Sequence, residues 1–369
     1  MKNNILLFAC IEKNIGDDLF IYTISNRYKN VVFRISAEAK YGTLKKLDNL
    51  LFDKDLEKWI KYSNYVSENI IKEFFRSILI KYYKRKVGYS EIAIYIVGNA
   101  FKNMRYHGKK DSRWLNERVD LVDRFYLLST NFGPYTDKRW EKDCEDVFGR
   151  ITDLCFRDKK SFDIFRSLPN VRCKPDAILS LGKRDHLNNN YIVVSMIDCK
   201  MSGRPEELCQ ASTNYEDKIC EIVNHYTSLG KKVVLLNSNT LQDLPATKRV
   251  YSRIMNHNAV SIYNYEGMLE EVFDIFKNAE MVFATRLHTI ILSWLYSVPV
   301  IPIIYDIKVK GLLDECCFDD FYINISDINS LSIDALQEII TNYKFELSEE
   351  IIKDANEQFE LIDAELKGK

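Results

Sequence analysis

Short, unbroken apolar runs alternate with stretches of helical period along most of the 369-residue chain. Runs too short for a helix and apolar at successive positions read as strands buried on both faces, the kind that parallel sheets contain. In chain order, Ile5–Ala9, Val31–Ile35, Glu91–Val97, Phe125–Leu128 and Leu154–Phe156 predict strands, and Val171–Lys174 with Pro175-Asp176-Ala177 completes a first half. Helices are predicted from about Leu19 to Tyr28, from Trp114, and from Ser161 to Arg166, while 43–85 is mostly helical in period without a chemical motif. Lys183–Asn190 (KRDHLNNN) is polar and aperiodic and reads as a linker. The rhythm then restarts, with strands at Tyr191–Met196, Lys232–Asn237 and Val260–Tyr263 and helices at Tyr215–Leu229, Thr247–Asn256 and Met268–Lys277. Helices at Asp334–Tyr343 and Ser348–Leu366 close the chain.

This alternation predicts an α/β protein of two Rossmann-like parallel-sheet domains, 1–183 and 190–343, with a helical tail, 344–369, expected to pack back on the first domain. Two such domains are expected to face a cleft lined by strand carboxyl ends, where ligands of open α/β sheets sit.

The stretch Met281–Lys310 (MVFATRLHTIILSWLYSVPVIPIIYDIKVK) carries the most chemistry. It reads as strand Met281–Ala284, helix Arg286–Tyr296 and strand Pro299–Ile304, closed by the polar group Tyr305, Asp306 and Lys308. Arg286 and His288 fall where the first strand gives way to its helix, and Lys308 falls just past the second strand. Three cations would then share one rim beside a helix N-terminus, whose free N–H groups and dipole also favour an anion. Taken singly, Arg286 reads as a solvated helix-start charge, His288 as a packing histidine and Lys308 as a surface lysine. Together at two adjacent strand ends they predict a pocket for a small, doubly anionic ligand.

Charge narrows the partners. Lys plus Arg number 52 against 53 Asp plus Glu, so bulk charge points to neither nucleic acid nor a membrane surface. No apolar stretch reaches membrane-spanning length, which leaves peripheral membrane association open. The nine cysteines are scattered, with no C-x-x-C pair, a pattern of reduced thiols that points to a cytoplasmic protein. His107, His186, His225 and His257 lack metal-ligand partners at suitable spacing, and no Walker, kinase or dinucleotide glycine motif is present. Neither a metal nor a resident cofactor is expected.

Four pieces form an ordered set: Asn14-Ile15-Gly16-Asp17 after the first strand, Gly133-Pro134 after a middle strand, Arg157-Asp158 with Ser161, and Arg286-x-His288 followed by Pro299 and Tyr305-Asp306-x-Lys308. With the weaker piece Asp176–Leu179, this set resembles the polysaccharide pyruvyl transferase family. The chain departs from that family at Gly98-Asn99-Ala100, where a glycine-rich turn is usual and only Gly98 remains. The resemblance implies a two-domain fold similar to glycosyltransferase B-type enzymes. It also implies transfer of a pyruvyl group from phosphoenolpyruvate, as donor substrate, onto two hydroxyls of a sugar in a polysaccharide or lipid-linked glycan precursor, giving a cyclic ketal and phosphate.

The residues then take expected roles. Guanidinium forks bind carboxylate and phosphate in paired hydrogen bonds, so Arg286 and Arg157 are expected to hold the donor, with Lys308 as a point charge on its phosphate. A salt bridge with Asp158 is the alternative for Arg157. His288 is expected to move a proton at phosphoenolpyruvate, the alternative being a hydrogen bond to the phosphate. Asp17 is expected to orient or deprotonate a sugar hydroxyl, or else to cap a helix. Asn14, Tyr305, Gly16 and Gly133 are expected at the bound substrate, Gly16 by allowing a tight turn and Gly133 by shaping a loop. Two other functions stay open: a nucleotide-sugar glycosyltransferase with Arg286 and Lys308 on a diphosphate, and a non-catalytic sugar- or anion-binding relative.

Overall fold

The computed structural model describes residues 4–36, 41–56, 58, 78, 81–82, 90–187 and 191–367. Most of the predicted helical stretch 43–85 and the last three residues of the predicted linker lie outside the described residues. The chain divides into a first unit of Met1–Ile11, Asp17–Ser180 and Asp354–Lys369 and a second of Glu12–Gly16 and Leu181–Lys353.

The first unit holds the strands β1 (Asn4–Phe8), β2 (Val32–Ile35), β3 (Leu50–Phe52), β4 (Ile92–Ile96), β5 (Phe101–Asn103), β6 (Arg124–Thr130), β7 (Phe132–Tyr135), β8 (Asp153–Phe156) and β9 (Val171–Cys173). Seven of them form one sheet in the order β3-β2-β1-β4-β6-β8-β9, and β5 pairs with β7 apart from it. Every pairing is parallel. The strand runs are apolar at successive positions because both faces of the sheet are covered. Aromatic rings fill one side of this core. Phe165, for instance, meets Phe132 edge-on at 4.7 Å and Phe148 at 4.8 Å, an arrangement that sets the positive ring edge against the negative face.

The predicted terminal helix is broken into Glu349–Asn356, a tight turn Glu357–Phe359 and Glu360–Lys367. Residues 354–369 group with the first unit, whereas 344–353 group with the second. The turn delivers Gln358, fully buried, to the carboxyl ends of three strands. Its Oε1 accepts from the Ser129 N–H at 3.0 Å, and its Nε2 donates to the carbonyls of Lys174 at 2.7 Å and Pro175 at 3.0 Å. Ser129 has φ +56, a left-handed conformation costly for a serine, and its backbone needs that outside partner. Replacing Gln358 by leucine is expected to lower stability by about 1–3 kcal/mol, because several buried backbone groups lose their partner at once. A urea midpoint equal to wild type would contradict this.

The second unit holds β10 (Tyr191–Ser195), β11 (Lys232–Asn237), β12 (Val260–Asn264), β13 (Ala279–Ala284), β14 (Val300–Ile304) and β15 (Ile323–Asn324), in the order β12-β11-β10-β13-β14-β15. These pairings are also all parallel. Successive strands run outward from β10 to one side and then restart at β13 on the other. The crevice outside β10 and β13 is therefore a topological switch point, the preferred ligand position in such a sheet. The described part of the predicted linker is tied to this unit. Arg184 N–H donates to the Leu295 carbonyl at 2.7 Å, and Leu187 N–H to that of Lys277 at 2.8 Å.

Two helices begin earlier than their apolar period predicts. One spans Glu206–Ser228, and its exposed first turn carries Glu206 and Glu207, which suit the positive end of the helix dipole. The other spans Thr240–Tyr251 and contains Pro245. Asn239 caps it, its side chain accepting from the Gln242 N–H at 3.2 Å. This early start places Gln242 and Asp243 at the end of β11.

Candidate functional site

The second unit places several charged side chains at the strand ends around the switch point. Arg286 stands at the N-cap of the helix Leu287–Leu295, just after β13. Its guanidinium forms a two-pronged ion pair with Asp243, Nε donating to Oδ2 at 3.2 Å and Nη2 to Oδ1, and Nη2 also donates to Gln242 Oε1 at 3.1 Å. Asp243 is wholly buried and accepts a further bond from the Asn239 N–H at 3.1 Å. Burial opposes the charge on Arg286, but Asp243 and Tyr305 outweigh it and push the guanidinium pKa up, so it stays a cation. Burial pushes the Asp243 carboxyl up as well, against the pull of Arg286.

His288 is the second residue of the same helix. Its imidazole lies on Gly16, where a β-carbon would stand 1.9 Å from Nδ1 and 2.2 Å from Cε1. Gly16 is therefore not the expected tight turn. It is the second residue of the helix Ile15–Arg27, and its missing side chain makes room for the imidazole. The segment before it is pinned to this unit. Asn14 forms an isolated bridge with Asn239, and the Ile15 N–H donates to the Ser238 carbonyl at 3.1 Å. Asn14 Oδ1 accepts from the Gly16 N–H at 2.9 Å, which satisfies one of the free donors of the helix start.

Lys308 and Tyr305 follow β14. Asp306 caps the helix Ile307–Glu315 by accepting from the Val309 N–H at 3.1 Å, and it also takes the Lys308 ammonium at 3.1 Å. Burial acts against the charge on Lys308, while Tyr305 and Asp306 raise its pKa overall. Lys308 Nζ lies 5.5 Å from the centre of the Tyr305 ring. The Arg204 guanidinium, from the loop between β10 and the helix Glu206–Ser228, lies 5.4 Å from the same ring. A layer of hydroxyls lies at the ends of β10, β11 and β13. Tyr215 shares a hydrogen bond with Thr285 at 2.8 Å, and Ser195 with Ser238 at 3.3 Å.

The first unit places Arg157 after β8, only 6% exposed. Its Nη1 donates to Asp176 Oδ2 at 2.5 Å, its Nε to Asn131 Oδ1 at 2.6 Å and its Nη2 to the Gly98 carbonyl at 3.3 Å. The ion-pair partner is thus Asp176, not the adjacent Asp158. Asp158 instead caps the helix Lys159–Phe165, accepting from the Ser161 N–H at 2.9 Å and the Ser161 hydroxyl at 2.6 Å. Gly98, the glycine that survives in its loop, is where Arg157 comes close: a β-carbon there would meet Nη2 at 2.8 Å. Asp17, expected as a helix cap if not a base, is the third residue of its helix and groups with the first unit. Gly133 sits in β7 with φ +98, a conformation that only glycine adopts freely.

Arg286, His288, Gly16, Asn14, Tyr305 and Lys308 thus share one unit, while Arg157, Asp17 and Gly133 belong to the other. The sequence reading passed over Arg204, Gln242 and Asp243. An Asn with Gln three residues on is a helix-start signal, and it marks the helix that carries Gln242 and Asp243. Arg204 stands in an aperiodic loop with no such mark.

The sequence model of the family described as polysaccharide pyruvyl transferase matches residues 14–307. Among solved structures, the chain is similar to UDP-GlcNAc 2-epimerase of Methanocaldococcus jannaschii in complex with UDP-GlcNAc and UDP, at 13% identity and a TM-score of 0.60, covering 99% of this chain and 100% of that one. The UDP-GlcNAc 2-epimerase of Neisseria meningitidis bound to UDP-GlcNAc matches at 10% identity and 0.56, covering 100% of both chains. Anabaena Alr3699/HepE in complex with UDP and glucose matches at 10% and 0.55, covering 99% of this chain and 100% of its own. At these identities the likeness shows a fold of the glycosyltransferase B type, α/β with two parallel sheets.

Proposed function

The chain belongs to the polysaccharide pyruvyl transferase family, and from that membership we propose that it moves a pyruvyl group from phosphoenolpyruvate to a sugar of a glycan precursor, forming a ketal and releasing phosphate. The observation that carries this reading is the cation-lined end of β13 and β14, with Arg286, His288 and Lys308 in one unit. Phosphoenolpyruvate has a carboxylate and a phosphate, and such anions are held by guanidinium forks, ammonium groups and helix N-termini.

The chemistry needs a proton on the methylene carbon, so that C2 becomes cationic and takes the first sugar oxygen. A second sugar hydroxyl then displaces phosphate from C2, closing the ketal. One hydroxyl proton restores the acid and the other leaves with the phosphate side of the reaction. His288 is the group we assign to the methylene proton, because imidazole exchanges protons near neutral pH. Arg286 and Lys308 hold the donor's anionic ends, and the carboxylate assigned to a sugar hydroxyl is Asp17. Asn14 acts through Gly16, whose N–H it holds. Arg157 has spent three donors on its own unit and serves to lock the loops after β4, β6 and β9.

Incubating the protein with phosphoenolpyruvate and a panel of nucleotide- and lipid-linked sugars is expected to release phosphate with one acceptor class. His288→Ala is expected to lower turnover at least 100-fold, in the range attributed to a positioned acid or base. Stabilisation by a UDP-sugar with no effect of phosphoenolpyruvate would instead favour a glycosyltransferase, since only a true ligand raises the melting temperature by mass action.

A further inference from the structure

The two side chains assigned above to the donor's anionic ends are already paired. Arg286 is matched by Asp243, and Lys308 by Asp306. A ligand carrying two or three negative charges needs positive charge that no carboxylate has cancelled. Arg204 supplies it. Among the described residues its side chain makes no hydrogen bond and no ion pair, and its Nε is buried with no acceptor. A buried N–H left without a partner costs free energy, and a charged one costs more.

Its position fits that need. The segments that follow β10, β13 and β14 carry Arg204, then Arg286 with His288, then Tyr305 with Lys308, and these three strands are neighbours in the sheet. The Tyr305 ring is the common platform, with the Arg204 guanidinium 5.4 Å from its centre on one count and the Lys308 ammonium 5.5 Å on another. Arg204 and Arg286 both act on Asp243, and Tyr305 acts on Arg286, so the four groups share one electrostatic neighbourhood. The cation–π contact with Tyr305 keeps the guanidinium of Arg204 at this rim, and a guanidinium fork can take two oxygens of an anion.

We propose that Arg204 is a binding residue of the donor site that grips an oxyanion of the ligand, a phosphate or carboxylate, with its uncompensated charge and its unsatisfied Nε. The proposal deepens the pyruvyl transfer reading and rests on it for the identity of the donor. It also predicts a division of labour. Arg286, tied to Asp243, gives geometry; Arg204, with no carboxylate partner, gives net charge.

The test is binding without acceptor, measured by calorimetry on the full chain with phosphoenolpyruvate, inorganic phosphate and UDP as separate probes. Arg204→Ala is expected to weaken the bound probe roughly 10- to 100-fold, the size of one charge-assisted hydrogen bond. Arg204→Lys is expected to recover part of that loss by keeping the charge without the fork. The melting temperature without ligand is expected to change little, because the side chain has no hydrogen bond or ion pair to lose and gives up only its contact with the Tyr305 ring. Unchanged affinity in Arg204→Ala, or a lowered ligand-free melting temperature with affinity intact, would overturn the proposal and leave Arg204 a packing residue. Should UDP bind and phosphoenolpyruvate not, with Arg204→Ala weakening UDP, the donor assignment falls while Arg204 stands. A wild-type protein that binds none of the three probes defeats both.

Discussion

Gly16→Ala is expected to cut turnover roughly 100-fold, the scale on which displacement of a reacting group by an ångström is felt. The added methyl would stand 1.9 Å from His288 Nδ1 and 2.7 Å from Cγ, well inside the distance at which carbon and nitrogen can coexist. The backbone at Gly16 cannot retreat, since its N–H is held by Asn14 and the neighbouring Ile15 N–H by Ser238. The imidazole must therefore swing away. Alanine is otherwise the better residue in a helix, so any loss comes from the clash alone. Overpacking of this kind is expected to cost about 1–3 kcal/mol of stability as well. A double variant separates the two effects. Gly16→Ala with His288→Ala removes the ring that the methyl strikes, so stability should return toward that of His288→Ala while turnover stays at its level. Additive losses in the double variant would mean that Gly16 acts on something other than His288.

The strands were legible because burial on both faces leaves an unbroken apolar run, as in Ile192–Val194 or Val300–Ile304, all buried. Helix starts were less so. In their first turns Glu206, Glu207 and Leu241 face solvent, Leu241 being 88% exposed, and a solvated turn has no apolar period to read. The cations were legible for a related reason: a charge directly after a buried strand must sit at the sheet's carboxyl edge. Their counter-ions were not. Asp243 lies 43 residues from Arg286, and Asp176 lies 19 from Arg157, so only folding reveals that each guanidinium is already matched. Gly16 was misread as a turn for the same reason. The space it leaves is filled by a ring from a distant helix, and no local pattern encodes that.

Arg286→Ala is expected to destabilise the second unit by about 3–5 kcal/mol, the usual cost of removing one partner from a buried ion pair. The cause is the survivor. Asp243 is fully buried and would keep only the bond from the Asn239 N–H and the weaker pull of Arg204. Its carboxyl is already pushed up by burial, with Arg286 the largest influence pulling it back down. Without Arg286 it should move higher still. The sign of the pH dependence then follows. A carboxyl whose folded pKa lies above its unfolded value binds a proton more tightly in the folded state, so stability is kept at low pH and lost as pH rises through the folded pKa. The stability deficit of Arg286→Ala against wild type is therefore expected to shrink as pH falls from 8 toward 5, measured by urea unfolding at each pH. Pairing it with Asp243→Asn should restore most of the stability at pH 8, because the neutral amide needs no counter-charge. Turnover should stay lost in that pair, since the guanidinium proposed to hold the donor is gone. A deficit that is flat with pH would mean that Asp243 is not the group left exposed to the cost, and the ion pair would then be an ornament of the site instead of its frame.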